Sequence, residues 1–189
     1  MPISPVEESV LQAYVARAQQ GDTQAFERVY EQFFQQIYRY TAFRVHAEFV
    51  DDIVADIFVK AWEKLHTYKK QSGVPFSAWL FRIARYTVID AYRQRRDTEE
   101  ISDDLADPDL LNRADSDTRR GDLLRVVREA VDSLPKRYRE ILTLTYIADL
   151  PHDEVARILH LTEGAVRILK FRALRKLEAA LPPEMRERA

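Results

Sequence analysis

Cysteine is missing from this sequence, and glycine is scarce, with 4 residues among 189. Without cysteine the chain cannot form disulfides, thiolate metal sites or a cysteine nucleophile. No run of about 18 apolar residues occurs, so we expect no membrane insertion. The N-terminal stretch MPISPVEESV lacks a basic segment followed by an apolar one, so we also expect no secretory signal and a cytoplasmic location.

Strand-like alternation of apolar and polar residues is rare as well, whereas apolar residues recur with helical spacing over long stretches. Apolar residues make up 46% of the chain, which is enough to bury real cores. These features predict an all-α fold.

Charge is unevenly distributed along the chain. Residues 1–96 carry 13 basic and 11 acidic side chains, residues 97–122 carry 3 and 10, and residues 123–189 carry 13 and 10. Residues 97–117 contain nine acids, one base and few large apolar side chains, a composition typical of a flexible linker. We therefore expect two small helical domains, 1–96 and 123–189, joined by an acidic linker over 97–122.

The stretch PFSAWLFRIARYTVIDAYRQRR, residues 75–96, is the most informative part of the first half. On a helix, its apolar residues form one core-facing arc: Phe76, Trp79, Leu80, Ile83, Ala84, Thr87 and Ala91. The opposite arc, which we call the arginine stripe, comprises Arg82, Arg85, Tyr86, Tyr92, Arg93 and Arg96. No acid lies three or four positions away on that stripe, so the expected partner is a polyanion. The tyrosines favour nucleic acid over a merely solvated charged face.

A further helix, predicted from about Val50 to Leu65, carries carboxylates near its start. Asp51 and Asp52 suit the positive end of the helix dipole. Together with Asp56 they also resemble the spacing with which isoprenoid synthases hold magnesium. No second carboxylate cluster completes such a site, so the diphosphate enzyme is the weaker hypothesis, and we expect no metal or cofactor.

The second half contains two helices in close succession, predicted over Pro151–Leu159 and Thr162–Leu181. A short helix, a two-residue turn and a longer helix are typical of a helix-turn-helix, although a four-helix bundle ending in a basic helix is the alternative. Thr162 is a good N-cap for the second helix. Arg167 is the expected base reader near its start. The expected phosphate contacts are Arg172, Arg175 and Lys176, and the outward-facing apolar residues are Ile168 and Phe171.

With both halves in view, the chain resembles the sigma-70 family of bacterial transcription initiation factors, in particular the extracytoplasmic-function (ECF) group, which keeps only regions 2 and 4. The resemblance rests on DDIVADIFVKAW at 51–62, FSAWLFRIARYTVIDAYRQRR at 76–96, and LPKRYREILTLTYIADLPHDEVARILHLTEGAVRILKFRALRKL at 134–177. It covers roughly residues 9–96 and 123–181, and the order and spacing of the three strings make it specific.

The resemblance implies a role for each surface. The residues expected to bind the clamp coiled coil of core RNA polymerase are Asp51, Asp52 and Asp56. The residues expected to open the −10 promoter element and hold its melted single strand are Tyr68, Lys69, Lys70, Arg82, Arg85, Tyr86, Arg93 and Arg96. The residues expected to read the −35 duplex are Thr162, Glu163, Arg167, Ile168, Phe171, Arg172 and Arg175. An anti-sigma factor is a further implied partner, and neither a cofactor nor enzymatic activity is implied.

Several positions depart from the family pattern. The most consequential are Ile168, Leu169 and Lys170, where small polar, basic and apolar residues are common. Tyr86 stands where asparagine is frequent, and Pro151 replaces a serine cap. His160 replaces the glycine of the turn, where a positive φ is expected, and histidine tolerates this better than most residues.

Other functions are weighed beside this one. A helix-turn-helix regulator acting without polymerase would leave the first 96 residues unexplained. A magnesium-dependent diphosphate enzyme would depend on Asp51 and Asp52. A structural interaction module would make the arginine stripe irrelevant to DNA.

Overall fold

The computed structural model describes residues 5–69, 73–96 and 118–186. Within these ranges the first half of the chain forms α1 (Pro5–Ala18), α2 (Thr23–Arg44), α3 (Val50–Lys64) and α4 (Phe76–Arg96), with 3₁₀ turns at Ala47–Phe49 and Leu65–Thr67. The second half forms α5 (Thr118–Asp132), α6 (Lys136–Leu142), α7 (His152–Leu159), α8 (Glu163–Ala180) and α9 (Pro183–Arg186), with a π-helical turn at Thr143–Ile147. None of the described residues is in a strand. The prediction of an all-α fold is confirmed. Most of the acidic segment predicted to be a linker, residues 97–117, lies outside the described residues, as does Lys70.

The helix boundaries follow local chemistry. Asp22 caps α2, because its carboxylate accepts a hydrogen bond from the backbone N–H of Ala25 at 3.0 Å. Thr162 caps α8 in the same way, with its hydroxyl oxygen 3.2 Å from the N–H of Ala165. His160 ends α7 with φ 55° and ψ 48°, so the expected left-handed turn is confirmed. Pro151 precedes α7 and supplies no side-chain cap.

The core of the first half is aromatic. Phe33 and Phe76 are fully buried and their ring centroids lie 5.6 Å apart. Tyr68 and Trp79 extend this cluster, with centroids 5.2 Å from Phe76 in each case. This cluster fixes the loop before α4 and the start of α4 as one unit.

Helix α4 is buried on more than the predicted face. The predicted arc holds, since Phe76, Leu80 and Ala84 are buried. Phe81 and Val88, which lie off that arc, are also fully buried. Phe81 packs on Tyr40 of α2, with ring centroids 5.6 Å apart. In addition, α7 packs on α4 and the π-helical turn packs on α2, so the core is continuous between the two halves.

Candidate nucleic-acid interface

The arginine stripe is divided into a covered part and an exposed part. Arg82 donates a hydrogen bond from Nη2 to the carbonyl oxygen of Arg157 at 2.7 Å, although α7 lies 75 residues along the chain. Arg85 donates from Nε to Oε1 of Glu140 at 3.2 Å. Arg93, by contrast, is exposed. The two arginines nearer the start of α4 are therefore occupied by the second half of the chain.

The flanking tyrosines are accessible. Tyr86 is 54% exposed, and the guanidinium of Arg85 lies 5.7 Å from its ring centroid. Tyr92 is exposed on the same side and donates its hydroxyl hydrogen to the carbonyl oxygen of Arg44. Rings in such positions can stack on unpaired bases. The side chain of Arg96, the last residue of α4, lies outside the described residues.

The loop before α4 is built around a buried ring. Tyr68 is only 5% exposed, and its hydroxyl donates to the carbonyl oxygen of Val74 at 3.2 Å and accepts from Nε2 of Gln12 at 3.0 Å. Burial raises the pKa of this phenol. Lys69 is exposed. Tyr68 therefore ties Val74, just before α4, to Gln12 of α1, while Lys69 lies at the surface.

Helix α3 presents a separate acidic face. Asp51, Asp52 and Asp56 are all exposed, and Asp56 pairs with Lys60 at 2.7 Å. Val59, one turn beyond Asp56, is 55% exposed and places an apolar side chain on the same face as these carboxylates. The sequence reasoning overlooked Val59, although an apolar residue off the buried stripe of α3 was readable.

Helix α8 is held by a few residues and leaves a broad face open. Val166 and Ala173 are fully buried against the rest of the second half. Ile168 and Phe171 are 54% and 64% exposed, which confirms that they face outward. The polar candidates on the same helix are exposed as well, namely Thr162, Glu163, Arg167, Arg172 and Arg175.

Two contacts order that open face. Arg167 lies 3.4 Å from Glu163, one turn earlier on α8, in an exposed ion pair that costs little to break. Lys170 lies over the ring of Tyr146, with Nζ 6.0 Å from the centroid. Tyr146 belongs to the π-helical turn. The basic and apolar groups thus form one continuous surface.

A buried acid, Glu140, was missed as a functional residue. It is 4% exposed on α6, and its Oε2 lies 3.5 Å from Nη1 of Arg44. Its Oε1 accepts from Arg85 at 3.2 Å and from the hydroxyl of Tyr40 at 3.5 Å. All three partners belong to the first half of the chain. One signal was readable, because Glu140 shares the apolar arc of Ile141 and Leu144, where a charge needs a partner.

Among the described residues there is no group of three or more histidines and carboxylates placed to hold a metal ion. In the same residues no helix is long and apolar enough to cross a membrane.

Two family models match the chain, Sigma-70 region 2 over residues 25–98 and Sigma-70 region 4 over residues 124–177. The chain belongs to the sigma-70 family. The ECF RNA polymerase sigma factor BldN of Streptomyces coelicolor is 31% identical over 188 residues, which cover 98% of this chain and 71% of BldN. This relative identifies the ECF group within the family.

Solved structures agree with this assignment. The structure of CnrH in complex with the cytosolic domain of CnrY has a TM-score of 0.69 and 27% identity, covering 90% of this chain and 96% of CnrH. The fold is also that of the sigma factor RpoE of Bartonella quintana, solved with the anti-sigma factor NepR (TM-score 0.63, 20% identity, 82% and 95% covered). This sigma factor is therefore not an enzyme: it binds RNA polymerase and directs promoter-specific initiation of transcription.

Proposed function

We propose that this sigma factor divides promoter recognition between its two halves. Residues 1–96 would form region 2, which binds core polymerase and melts the −10 element. Residues 123–189 would form region 4, which reads the −35 element, and residues 97–122 would connect them. Two observations together support this proposal: the family models match both regions, and the basic residues of α8 are exposed.

On α8 the first two turns read bases and the later turns hold phosphates. Arg167 releases a weak exposed ion pair and gains a bidentate contact to a guanine edge. Ile168 and Phe171, being exposed and apolar, contact thymine methyl groups in the same groove. Arg172 and Arg175 lie further along the helix and contact the phosphate backbone.

On α4 the arginine stripe contacts the −10 element. Arg82, Arg85 and Arg93 hold phosphates, and Tyr86 stacks on a base that has left the duplex. Stacking of this kind contributes about 1–3 kcal/mol per base, which offsets part of the cost of melting. Lys69 adds charge at the edge of the loop, and Tyr68 supports that loop from within. The roles assigned to Lys70 and Arg96 concern side chains outside the described residues.

The exposed face of α3 docks on core polymerase. Asp51, Asp52 and Asp56 supply charge for the clamp coiled coil, and Val59 supplies an apolar contact at the centre of the same face. A charged rim around an apolar centre is the usual composition of a protein interface. Since the polymerase and the chromosome are cytoplasmic, the protein works in the cytoplasm.

An anti-sigma factor is a further partner. The exposed apolar pair Ile168 and Phe171 forms part of a surface that a regulator can cover as readily as DNA can. CnrH, which is similar in fold and sequence, was solved with the cytosolic domain of a second protein, CnrY. Binding there would silence −35 recognition.

Transcription from fragmented genomic DNA by purified bacterial core polymerase, with and without this chain, tests the proposal. New RNA 5′ ends that share spaced −35 and −10 elements are expected. The double variant Asp51→Asn, Asp52→Asn should lose these starts, whereas Glu27→Gln with Glu31→Gln, the same charge change on exposed positions of α2, should keep them. Tight DNA binding by the chain alone without new starts would identify a regulator that acts without polymerase.

A further inference from the structure

The contact between the two halves uses charged groups that the proposed function assigns to DNA. Arg82 donates from Nη2 to the carbonyl oxygen of Arg157, and Arg85 donates from Nε to the carboxylate of Glu140. Neither arginine finds an acid on its own helix within the stripe. The second half of the chain therefore supplies acceptor oxygens to both arginines, and the one that Arg85 contacts belongs to a carboxylate, the kind of charge that a polyanion would otherwise supply.

A second set of contacts closes the end of α2. Arg128 of α5 is 3% exposed and donates from Nη2 to the carbonyl oxygen of Ala42 at 2.7 Å. Its guanidinium lies 5.3 Å from the ring centroid of Phe43. A cation at the C-terminal carbonyls of a helix also interacts favourably with the helix dipole. Asp132 of α5 interacts electrostatically with both Arg128 and Arg44, which links this contact to the pair formed by Arg44 and Glu140.

The buried charges make this contact specific. An acid as deeply buried as Glu140 is costly unless cations face it, and removing one partner leaves an uncompensated charge. Both of the cations that face Glu140, Arg44 and Arg85, come from the first half. The hydroxyl of Tyr40, a third group of the first half, also lies 3.5 Å from Oε1 of Glu140.

From this geometry we propose that region 4 binds region 2 within the free chain and competes with promoter DNA for Arg82 and Arg85. The closed chain is unable to hold the −10 element until the two halves separate. Glu140 is the positioning residue of the closed state, because it joins α6 to both α2 and α4. This inference rests on the proposed role of the arginine stripe in DNA binding.

Spin labels test the closed state directly, because the chain has no natural cysteine. Gln35→Cys on α2 and Lys136→Cys on α6 are exposed positions outside the proposed surfaces. The labelled full chain should give one narrow distance by double electron–electron resonance, and Glu140→Ala should broaden the distribution. Glu129→Ala, which removes an exposed carboxylate from the same half, should leave it narrow. A broad distribution in the parent chain would overturn the inference.

A binding measurement tests the competition. The probe is a fluorescein-labelled single-stranded oligonucleotide of random sequence, followed by anisotropy. Glu140→Ala should bind it about tenfold more tightly than the parent chain, because the binding-competent fraction limits the apparent affinity. Arg44→Ala removes the same contact from the region 2 side without touching the stripe, and it should act in the same direction with unchanged helicity by circular dichroism.

The outcomes distinguish a failure of the closed state from a failure of the proposed DNA-binding role of the arginine stripe. Opening by Glu140→Ala with no gain in affinity would overturn the competition and would also count against the stripe as a DNA surface. A parent chain that is already open would overturn only the closed state, and the promoter-mapping experiment would still decide the proposed function.

Discussion

The two proposed DNA surfaces of this sigma factor differ in how far the free chain exposes them. On α8 the candidate contacts, from Thr162 to Arg175, all lie at the surface. On α4, Arg82 and Arg85 are bound by the other half of the chain, and Arg93 remains exposed. The difference follows from packing, since α8 is held mainly by Val166 and Ala173 whereas α4 is buried on two faces.

This contrast separates the two steps of promoter recognition. The proposed −35 surface is exposed in the chain as it stands. Under the proposed closed state, the −10 surface requires that the halves separate, which a large partner such as core polymerase can bring about by binding one half more tightly in the open state. Premature contact with single-stranded nucleic acid is thereby disfavoured.

The largest expected effect comes from removing the stripe. Replacing Arg82, Arg85 and Arg93 together with alanine should weaken promoter binding by the holoenzyme on the order of a hundredfold at low salt, because each arginine bound to a phosphate releases counterions. The slope of log affinity against log salt should fall by roughly 0.7 to 0.9 for each phosphate that is no longer neutralised. Filter binding over a salt series measures both quantities. An unchanged slope would show that the stripe does not meet DNA.

A smaller effect, on the discrimination among −35 sequences, is expected from a substitution on the exposed face of α8. Arg167→Ala should reduce discrimination among −35 sequences by about 1–3 kcal/mol, the value of a bidentate base contact. Competition binding with single-base variants of the mapped −35 element measures this. Arg172→Ala serves as the matched control, because it should weaken all sequences alike. A uniform loss with Arg167→Ala would make Arg167 a phosphate contact.

The exposure of the candidate residues on α3 and α8 was largely predictable from the sequence, whereas the packing of the second half on α4 was not. The helix-turn-helix, the cap at Thr162 and the positive φ at His160 depend on local chemistry, and local patterns report such chemistry directly. The covering of α4 depends on contacts across more than 50 residues of chain. Part of this burial could have been predicted from the sequence. Phe81 and Val88 lie outside the main apolar arc of α4, so a helix buried on one face alone would have left them exposed.

Two other features of the structure could not be predicted from the sequence. The π-helical turn at Thr143–Ile147 packs on α2. Its wider turn could not be predicted, because no residue type within it distinguishes a π-helix from an α-helix. The burial of Tyr68 was hidden because a tyrosine beside two lysines reads equally well as a surface ring.

The last prediction concerns Glu154, an acid of α7 that closure buries against α4. Burial raises the pKa of this carboxyl to about 7, while a hydrogen bond from Ser77 of α4 opposes part of the rise. The charged groups that face it are Asp153 and Arg157 of its own helix and Glu8 of α1. Opening exposes the carboxyl to water and returns its pKa toward the ordinary value of 4.5.

The direction of the pH effect follows from the number of protons that the closed and open forms bind. Between the two pKa values the closed form holds more protons than the open form, so a rise in pH across that range favours opening. The open population of the spin-labelled chain should therefore increase severalfold from pH 5.5 to 7.5 and level off at higher pH. Glu154→Gln keeps the size of the side chain but cannot ionise, so it should remain closed and lose this dependence. His152 titrates nearby, but burial lowers its pKa in the closed form, so on its own it would favour opening as the pH falls. A rise in the open population with pH that survived Glu154→Gln would therefore show that Glu154 is not its source.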